Sequence, residues 1–329
     1  MAFQTSASIL KGLKSPSGLF SAAPSNSTGY SNIWIRDNLY TSLGLEIIDK
    51  DSAIRVMHRL LDIFLKHEYK IDWAIKEKPK HAYQYIHARY HPETLNEFWT
   101  EWGNKQNDAI GLFLFRLAEM LTKNYSVLRT ESDKRIVQKL IFYLQSLEYW
   151  QDSDHGVWEG YEEIHASSIG ACLAGLKAIS SFFIVPNRLI VEGEKALNAL
   201  LPRESQSRET DLALLSLIYP YNVVNDEMKA KILADVEQKL VRNKGVIRFS
   251  GDWYYNKNGD AEWTMGFPWL AIIYKQLGNK EKYQFYMNKT LSCFNDKGEL
   301  PELYYANSSQ HNENSPLGWA QALYIVAAL

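Results

Sequence analysis

Cysteine is almost missing from this 329-residue chain, which holds only Cys172 and Cys293. Both stand beside apolar neighbours and read as buried thiols of a reducing compartment, which excludes a disulfide framework. An excess of one charge is missing too, since 36 Lys and Arg face 38 Asp and Glu. Without a basic surplus to displace counterions, nucleic acid and anionic membranes are poor partners. No apolar run approaches the roughly 18 residues of a membrane span, and residues 1–15 lack a signal peptide's hydrophobic stretch. The expectation is a cytoplasmic protein, in which the sequons at Asn26, Asn124, Asn288 and Asn307 are chance matches. The eight histidines are scattered, and His81, His87 and His91 have no neighbouring thiols, so neither a metal site nor a cofactor is expected. No Gly-rich phosphate loop, G-x-S-x-G or Cys–His signal occurs, which removes nucleotide chemistry and acyl transfer.

What the chain does have is aromatic side chains: 20 Tyr, 10 Trp and 13 Phe. Tyr and Trp combine a stacking face with a polar edge, which suits both a sugar site and a large helical core. Composition alone does not separate the two.

Strand-like alternation is scarce and helical periodicity recurs, as in Ile54, Met57, Leu60, Leu61, Phe64 and Leu65 opposite Arg55, Arg59 and Asp62. Two kinds of helix alternate. Segments 131–149, 226–241 and 280–291 are amphipathic, whereas 109–121, 168–179, 264–277 and 315–329 are apolar nearly all round or rich in small residues. A helix apolar on every side must be buried on every side. Inner helices alternating with half-buried outer ones describe an all-α barrel of six helical hairpins, an (α/α)6 toroid. The only Ser/Pro/Gly-rich stretch, 15–31, lies too near the N-terminus to separate two domains, so one domain over 1–329 is expected.

The polar and aromatic motifs precede the inner helices. Trp34-Ile-Arg-Asp37 leads to a helix expected from Asn38, 102–108 to one from Ala109, and 158–167 to one from Ser168. Residues 208–211 lead to 212–219, Glu262-Trp263 to a helix from Thr264, and 300–305 through a loop to Ser315-Pro316, expected as N-cap and first helical residue. All six lead-ins would open on one mouth, ringed by helix N-termini. Its carboxylates are Asp37, Asp108, Glu159, Glu162, Glu163, Asp211, Asp252, Glu262 and Glu302. Two carboxyl groups in an aromatic cavity are what glycoside hydrolysis uses. Glu159, directly after Trp158, suits an acid kept protonated by apolar surroundings, and Glu302 could face it across the closed barrel as base, though the residues alone leave other pairings open.

The ordered motifs W-I-R-D, W-G-x-x-Q-x-D-A, G-V-W-E, R-F-x-G-D-x-Y-Y, E-W, L-P-E-x-Y and S-P-L-G-W resemble glycoside hydrolase family 15, the glucoamylase family. A second, dense likeness is to the N-terminal domain of phosphorylase kinase alpha and beta subunits, through Ser17-Gly-Leu-Phe20, Asp108-Ala-Ile-Gly-Leu112, L-P-R-x-S at 201–205, 211–216 and Leu300-Pro-Glu-Leu303. The resemblance implies an (α/α)6 barrel that hydrolyses α-glucosidic bonds from the non-reducing end with inversion. It implies Glu159 as general acid, Glu302 as general base, and Arg36 and Asp37 as the clamp on the terminal glucose hydroxyls. Trp34, Trp102, Trp158 and Trp319 match the cavity's aromatic walls, and Arg248 an arginine near the first two subsites. Asp108 is expected to cap its helix, and Glu163 and His165 to lie close enough to tune the acid. Thr264 stands where many members have proline, which puts the outer subsites in question.

The leading expectation is an inverting exo-α-glucosidase of short α-glucosides. Trehalase or another specificity shares the mechanism. A non-catalytic sugar-binding or regulatory domain is the alternative from another class, and a disaccharide phosphorylase is disfavoured by Glu302.

Overall fold

A computed structural model describes residues 2–98, 100 and 102–329. In chain order its helices are α1 (Ala2–Gly12), α2 (Ile35–Ile48), α3 (Lys50–Lys66), α4 (Glu68–Lys76), α5 (Asn107–Thr122), α6 (Glu131–Leu147), α7 (Ala166–Ile179) and α8 (Asn187–Leu200). A 3-10 segment, Leu212–Leu217, then precedes α9 (Asp226–Lys239), α10 (Gly266–Gln276), α11 (Lys280–Leu291) and α12 (Gly318–Ala328). The inner ring runs α2, α5, α7, the 3-10 segment, α10, α12 and back to α2, each touching the next. Outside them lie α3, α6, α8, α9 and α11, and the sixth outer position is filled by α1, which packs on α12. The chain's two ends thus close the (α/α)6 barrel. The fourth inner member is only a six-residue 3-10 segment rather than the expected helix 212–219; Asp211 caps its start, and the chain turns at 218–220.

Small residues let the inner helices touch backbone to backbone. A Cβ on Gly111 would lie 2.3 Å from the Cys172 nitrogen, and one on Gly175 would lie 2.3 Å from the Gly111 oxygen. The α5–α7 contact therefore tolerates no side chain at either position. Both cysteines are buried and unpaired. No described helix is long and apolar enough to cross a membrane.

The inner helices begin earlier or later than their polar residues suggest. The outer helices α3, α6, α9 and α11 carry side-chain N-caps at Asp49, Thr130, Asn225 and Asn279, whereas α2, α5, α7, α10 and α12 have none of their own. Their first N–H groups are taken by distant chain: Ile35 N donates to Ala88 O, Asn107 N to Asp154 Oδ2 and Ser167 N to Glu204 Oε2. Asn38, expected as a helix start, sits inside α2 and holds the backbone of Phe20 in both directions. Ser315 and Pro316 are not the cap and first residue of α12. The chain on either side is held to the other strand, with Glu302 N bonded to Asn314 O and Leu317 N to Leu300 O, and the helix starts at Gly318.

Two short antiparallel pairs tie the mouth together: β1 (Ile33–Trp34) with β2 (Arg89–Tyr90), and β3 (Glu262–Trp263) with β4 (Leu303–Tyr304). Gly111→Ala must push α5 from α7 and is expected to cost about 2–3 kcal/mol. Calorimetric melting should show a midpoint several degrees lower, while Gly12→Ala, whose Cβ would meet nothing within 4 Å, should leave it unchanged.

Candidate functional site

One cavity of about 260 Å³ lies at the mouth, and its wall includes all nine residues singled out from the sequence: Trp34, Arg36, Asp37, Trp102, Trp158, Glu159, Arg248, Glu302 and Trp319. Six separate stretches of the chain bring them there: 34–37, 102, 158–159, 248, 302 and 319. Trp263 also lines it, as do Tyr30, Trp253 and Tyr254, which the sequence reading did not select.

Glu159 rides on a loop closed by paired backbone bonds between Asp154 and Glu163, 2.8 and 2.9 Å. Asp154 anchors that loop, accepting from Gly156 N and Ser168 Oγ as well as capping α5. Glu159 itself takes a left-handed conformation with φ 59°, a conformation that persists only where the surroundings fix it. Its Oε1 accepts from Trp34 Nε1 at 2.8 Å and lies 3.4 Å from an Arg36 nitrogen. Burial pushes its carboxyl up to about 7, aided by Asp37 and opposed by Arg36, Arg89 and the Trp34 indole. Arg89, 4.3 Å over the ring of Trp102 and 5.5 Å over that of Trp34, makes no ion pair among the described residues.

Glu302 is fully buried on the strand side of the mouth. Tyr30 donates a short hydrogen bond to its Oε1; Asn312 and Asn314 (2.8 Å) donate to Oε2. Tyr254 bonds the Tyr30 hydroxyl at 3.0 Å and approaches Glu302 at 3.4 Å. Burial raises this carboxyl above its ordinary value, while the three donors and Arg248 stabilise the ionised form. The backbone is held equally firmly: Thr264 N bonds Glu302 O, and the Thr264 hydroxyl bonds Pro301 O. The residue that breaks the E-W-P pattern therefore buttresses the strand carrying Glu302.

Arg36 pairs with Asp108 at 3.2 Å and bonds Gln106 at 2.7 Å. Asp108 is not an N-cap. It lies in the first turn of α5 and neutralises Arg36, because Gln106 occupies the cap position. Asp37 receives no side-chain hydrogen bond among the described residues, and burial lifts its carboxyl to about 6. Arg248 is held bidentately by Asp252, 2.6 and 2.8 Å, and stands 4.7 Å from the Trp263 ring centre. Trp158 donates to Asp211 at 2.6 Å, and Trp319 stacks on Tyr40 at 4.2 Å. Among the described residues, the buried indole N–H groups of Trp263 and Trp319 have no hydrogen-bond partner.

Glu163 and His165 do not reach Glu159. Glu163 accepts from Ser205 and Ser207. Burial works against protonation of His165, but Glu204 and Asp154 hold its imidazolium, up to about 9. Glu262 is spent on the backbone N–H groups of Lys244 and Asn307. Among the missed residues, Asn312 and Asn314 stood in the run before Ser315-Pro316, and Tyr30 in the Ser/Pro/Gly-rich stretch. Only proximity to motifs could have signalled them. No grouping of His, Cys, Asp and Glu fit to hold a metal occurs among the described residues.

The sequence profile of glycosyl hydrolases family 15 matches residues 3–329. The chain is 26% identical over 376 residues to the probable phosphorylase b kinase regulatory subunit alpha of Caenorhabditis elegans, covering 90% of this chain and 30% of the relative. It therefore spans less than a third of that relative's length. A wild-type glycosidase structure superposes with a TM-score of 0.86 at 19% identity, covering 99% of this chain and 95% of the other. A bacterial glucoamylase complexed with acarbose gives 0.73 at 15%, covering 99% and 55%. With its motifs, its six-hairpin ring and a profile match over nearly its whole length, the chain belongs to glycosyl hydrolases family 15.

Proposed function

We propose that the protein is an inverting exo-α-glucosidase acting on short α-glucosides, with Glu159 as general acid and Glu302 as general base. The observation that carries this reading is the contrast between two buried carboxyls of one aromatic cavity. Glu159 has its carboxyl lifted to about 7 and so keeps a proton to give to a leaving oxygen. Burial raises Glu302 as well, but three donors converge on its oxygens and stabilise the ionised form, which suits a base acting on water.

A glucose ring would lie against the indoles. Its hydroxyls would meet Asp37, which has no side-chain partner, and the free N–H groups of Trp263 and Trp319. Arg36, already neutralised by Asp108, orients rather than attracts charge. Both arginines on the wall are engaged by carboxylates, and Arg89, unpaired among the described residues, is stacked behind Trp34 and Trp102, an arrangement that favours water over phosphate as the acceptor. In an inverting reaction the carboxyls stand roughly 6.5–9.5 Å apart to admit that water.

A regulatory sugar-binding role has one specific support, the likeness to phosphorylase b kinase alpha subunits. The two readings part on turnover. Proton NMR of a panel of α-glucosides should show the β-anomer released first by wild type, with and without phosphate. Glu159→Gln and Glu302→Gln should each lose at least a hundredfold in kcat. Binding without turnover would support the regulatory role, and release of sugar phosphate would remove water from Glu302's task.

The pH dependence follows from the same carboxyls. kcat/KM should fall about tenfold per pH unit above about 7, as Glu159 loses its proton. Trp34→Phe removes a donor to the ionised form and should move this limb upward.

Stability should register Glu159 independently. Its carboxyl titrates near 7 when folded and near 4.5 when unfolded, so ionisation above pH 7 destabilises the fold, and the penalty fades as pH falls through that window. Glu159→Gln should therefore gain about 2 kcal/mol over wild type at pH 8 relative to pH 4.5, allowing for the 26% of the side chain open to the cavity. Urea melts at the two pH values measure this, and an equal difference at both would refute burial as the cause.

A further inference from the structure

Beneath the loop that carries Glu159 lies a buried charge that is not part of the cavity wall. His165 stands just before α7 with 1% of its side chain exposed, and its Nδ1 is 3.4 Å from Glu204 Oε1. The ring lies against the loop: a Cβ on Gly156 would come within 2.8 Å of His165 Cδ2. Gly156 also has φ 62°, so the close approach and the backbone both require glycine. The turn it opens leads to Glu159 at φ 59°, with Glu159 N bonded to Gly156 O at 3.4 Å and Gly160 N to His155 O at 2.9 Å.

Two buried carboxylates act on this ring, and both serve backbone. Asp154 accepts from Asn107 N (2.9 Å), Gly156 N (3.2 Å) and Ser168 Oγ (3.1 Å), so one side chain joins the start of α5, the Glu159 turn and α7. Glu204 accepts from Ser167 N (3.2 Å) and Ser167 Oγ (2.5 Å) at the start of α7. A carboxyl that takes up a proton gives up part of this acceptor capacity. Burial drives Asp154 in that direction; His165 is the neighbour that opposes it most, while Asp108 adds to the rise. The other titratable groups facing His165 are His155 and Glu163 on the loop and Arg208 beyond α8. None replaces its charge beside Asp154. Burial keeps His155 below the ordinary histidine range, Glu163 is engaged by Ser205 and Ser207, and Arg208 pairs with Asp211 at 3.5 Å.

We infer that His165 is a positioning residue: its protonated ring keeps Asp154 ionised as the shared acceptor of α5, α7 and the Gly156 turn, and so holds Glu159 where it can protonate a leaving oxygen. The effect on turnover rests on the hydrolytic reading; the hold on the loop does not.

His165→Gln keeps the bulk and removes the charge. On a short α-glucoside its kcat should fall about tenfold at pH 6.5, with KM within about twofold of wild type, because Asp37, Trp263 and Trp319 lie on other stretches of chain. The deficit should shrink below about threefold at pH 8.5, where Asp154 ionises without help. An equal deficit at both pH values, or none, would leave His165 as packing alone and overturn the inference. In His165→Gln/Asp154→Asn that carboxyl is gone, so the deficit should not shrink; if it still does, another group is responsible and the inference fails.

NMR reads the same hold without turnover. The wild-type His165 ring should keep its second proton up to about pH 9, a measurement that stands even if the variants melt early. The Asn107 and Gly156 amides should exchange about tenfold faster in His165→Gln than in wild type at pH 6.5. A ring that titrates below pH 7, or unchanged exchange, would overturn the inference. If wild type turns nothing over while both NMR results hold, His165 still positions the loop and only the hydrolytic reading falls.

Discussion

The inner helices have no face for water, and the mouth follows from that constraint. α7 is buried along almost its whole length and meets α5 at glycines on both sides, so the backbones approach too closely to admit solvent or side chains. A helix with no solvent face can be satisfied only inside a closed ring. Closing the ring gathers five helix N-termini and the 3-10 segment's start at one end, where uncapped N–H groups demand partners. Those partners come from the loops: Asp154 for α5 and Glu204 for α7. The loop that satisfies α5 is also the loop that carries Glu159, so packing in the barrel's centre and the placement of a carboxyl at its mouth are one requirement seen from two ends.

Burial raises both carboxyls, and their neighbours oppose it to different degrees. Glu159 has a single strong donor, the Trp34 indole, and a guanidinium at 3.4 Å already shared with Asp108, so desolvation prevails. Glu302 has Tyr30, Asn312 and Asn314 on its two oxygens, and Arg248 nearby. The difference lies in the number of hydrogen bonds offered to the charged form rather than in depth, since Glu302 is the deeper of the two.

Periodicity made the ring legible from sequence, because burial on all sides leaves an apolar pattern that no other helix needs. It made the inner helix boundaries illegible for the same reason. Helix starts are read from local Ser, Thr, Asp or Asn, yet Trp34, Gln106, His165, Met265 and Leu317 precede the inner helices, and their caps arrive from far along the chain. Asn38, expected as a helix start, holds the Phe20 backbone from inside α2, and Ser315, expected as a cap, bonds the Glu299 and Asn295 side chains instead. The mouth residues could be selected because motifs place them beside helix starts. Asn312 and Asn314 reach Glu302 across a local hairpin, whereas Tyr30 and Tyr254 reach it only through chain closure, which no spacing encodes. α1 as the outer partner of α12 escaped for the same reason.

The charges at the mouth restrict what can enter. Arg36 answers Asp108 and Glu159, and Arg248 answers Asp252, so each cation on the wall is already compensated. Among the described residues, Asp37 has no side-chain hydrogen bond and the buried indole N–H groups of Trp263 and Trp319 have no partner. An acceptor and two donors set among flat rings cannot hold an anion against Asp37, and they offer a cation little beyond it. They match hydroxyl groups, each both donor and acceptor, on a ring whose carbons can lie against indole.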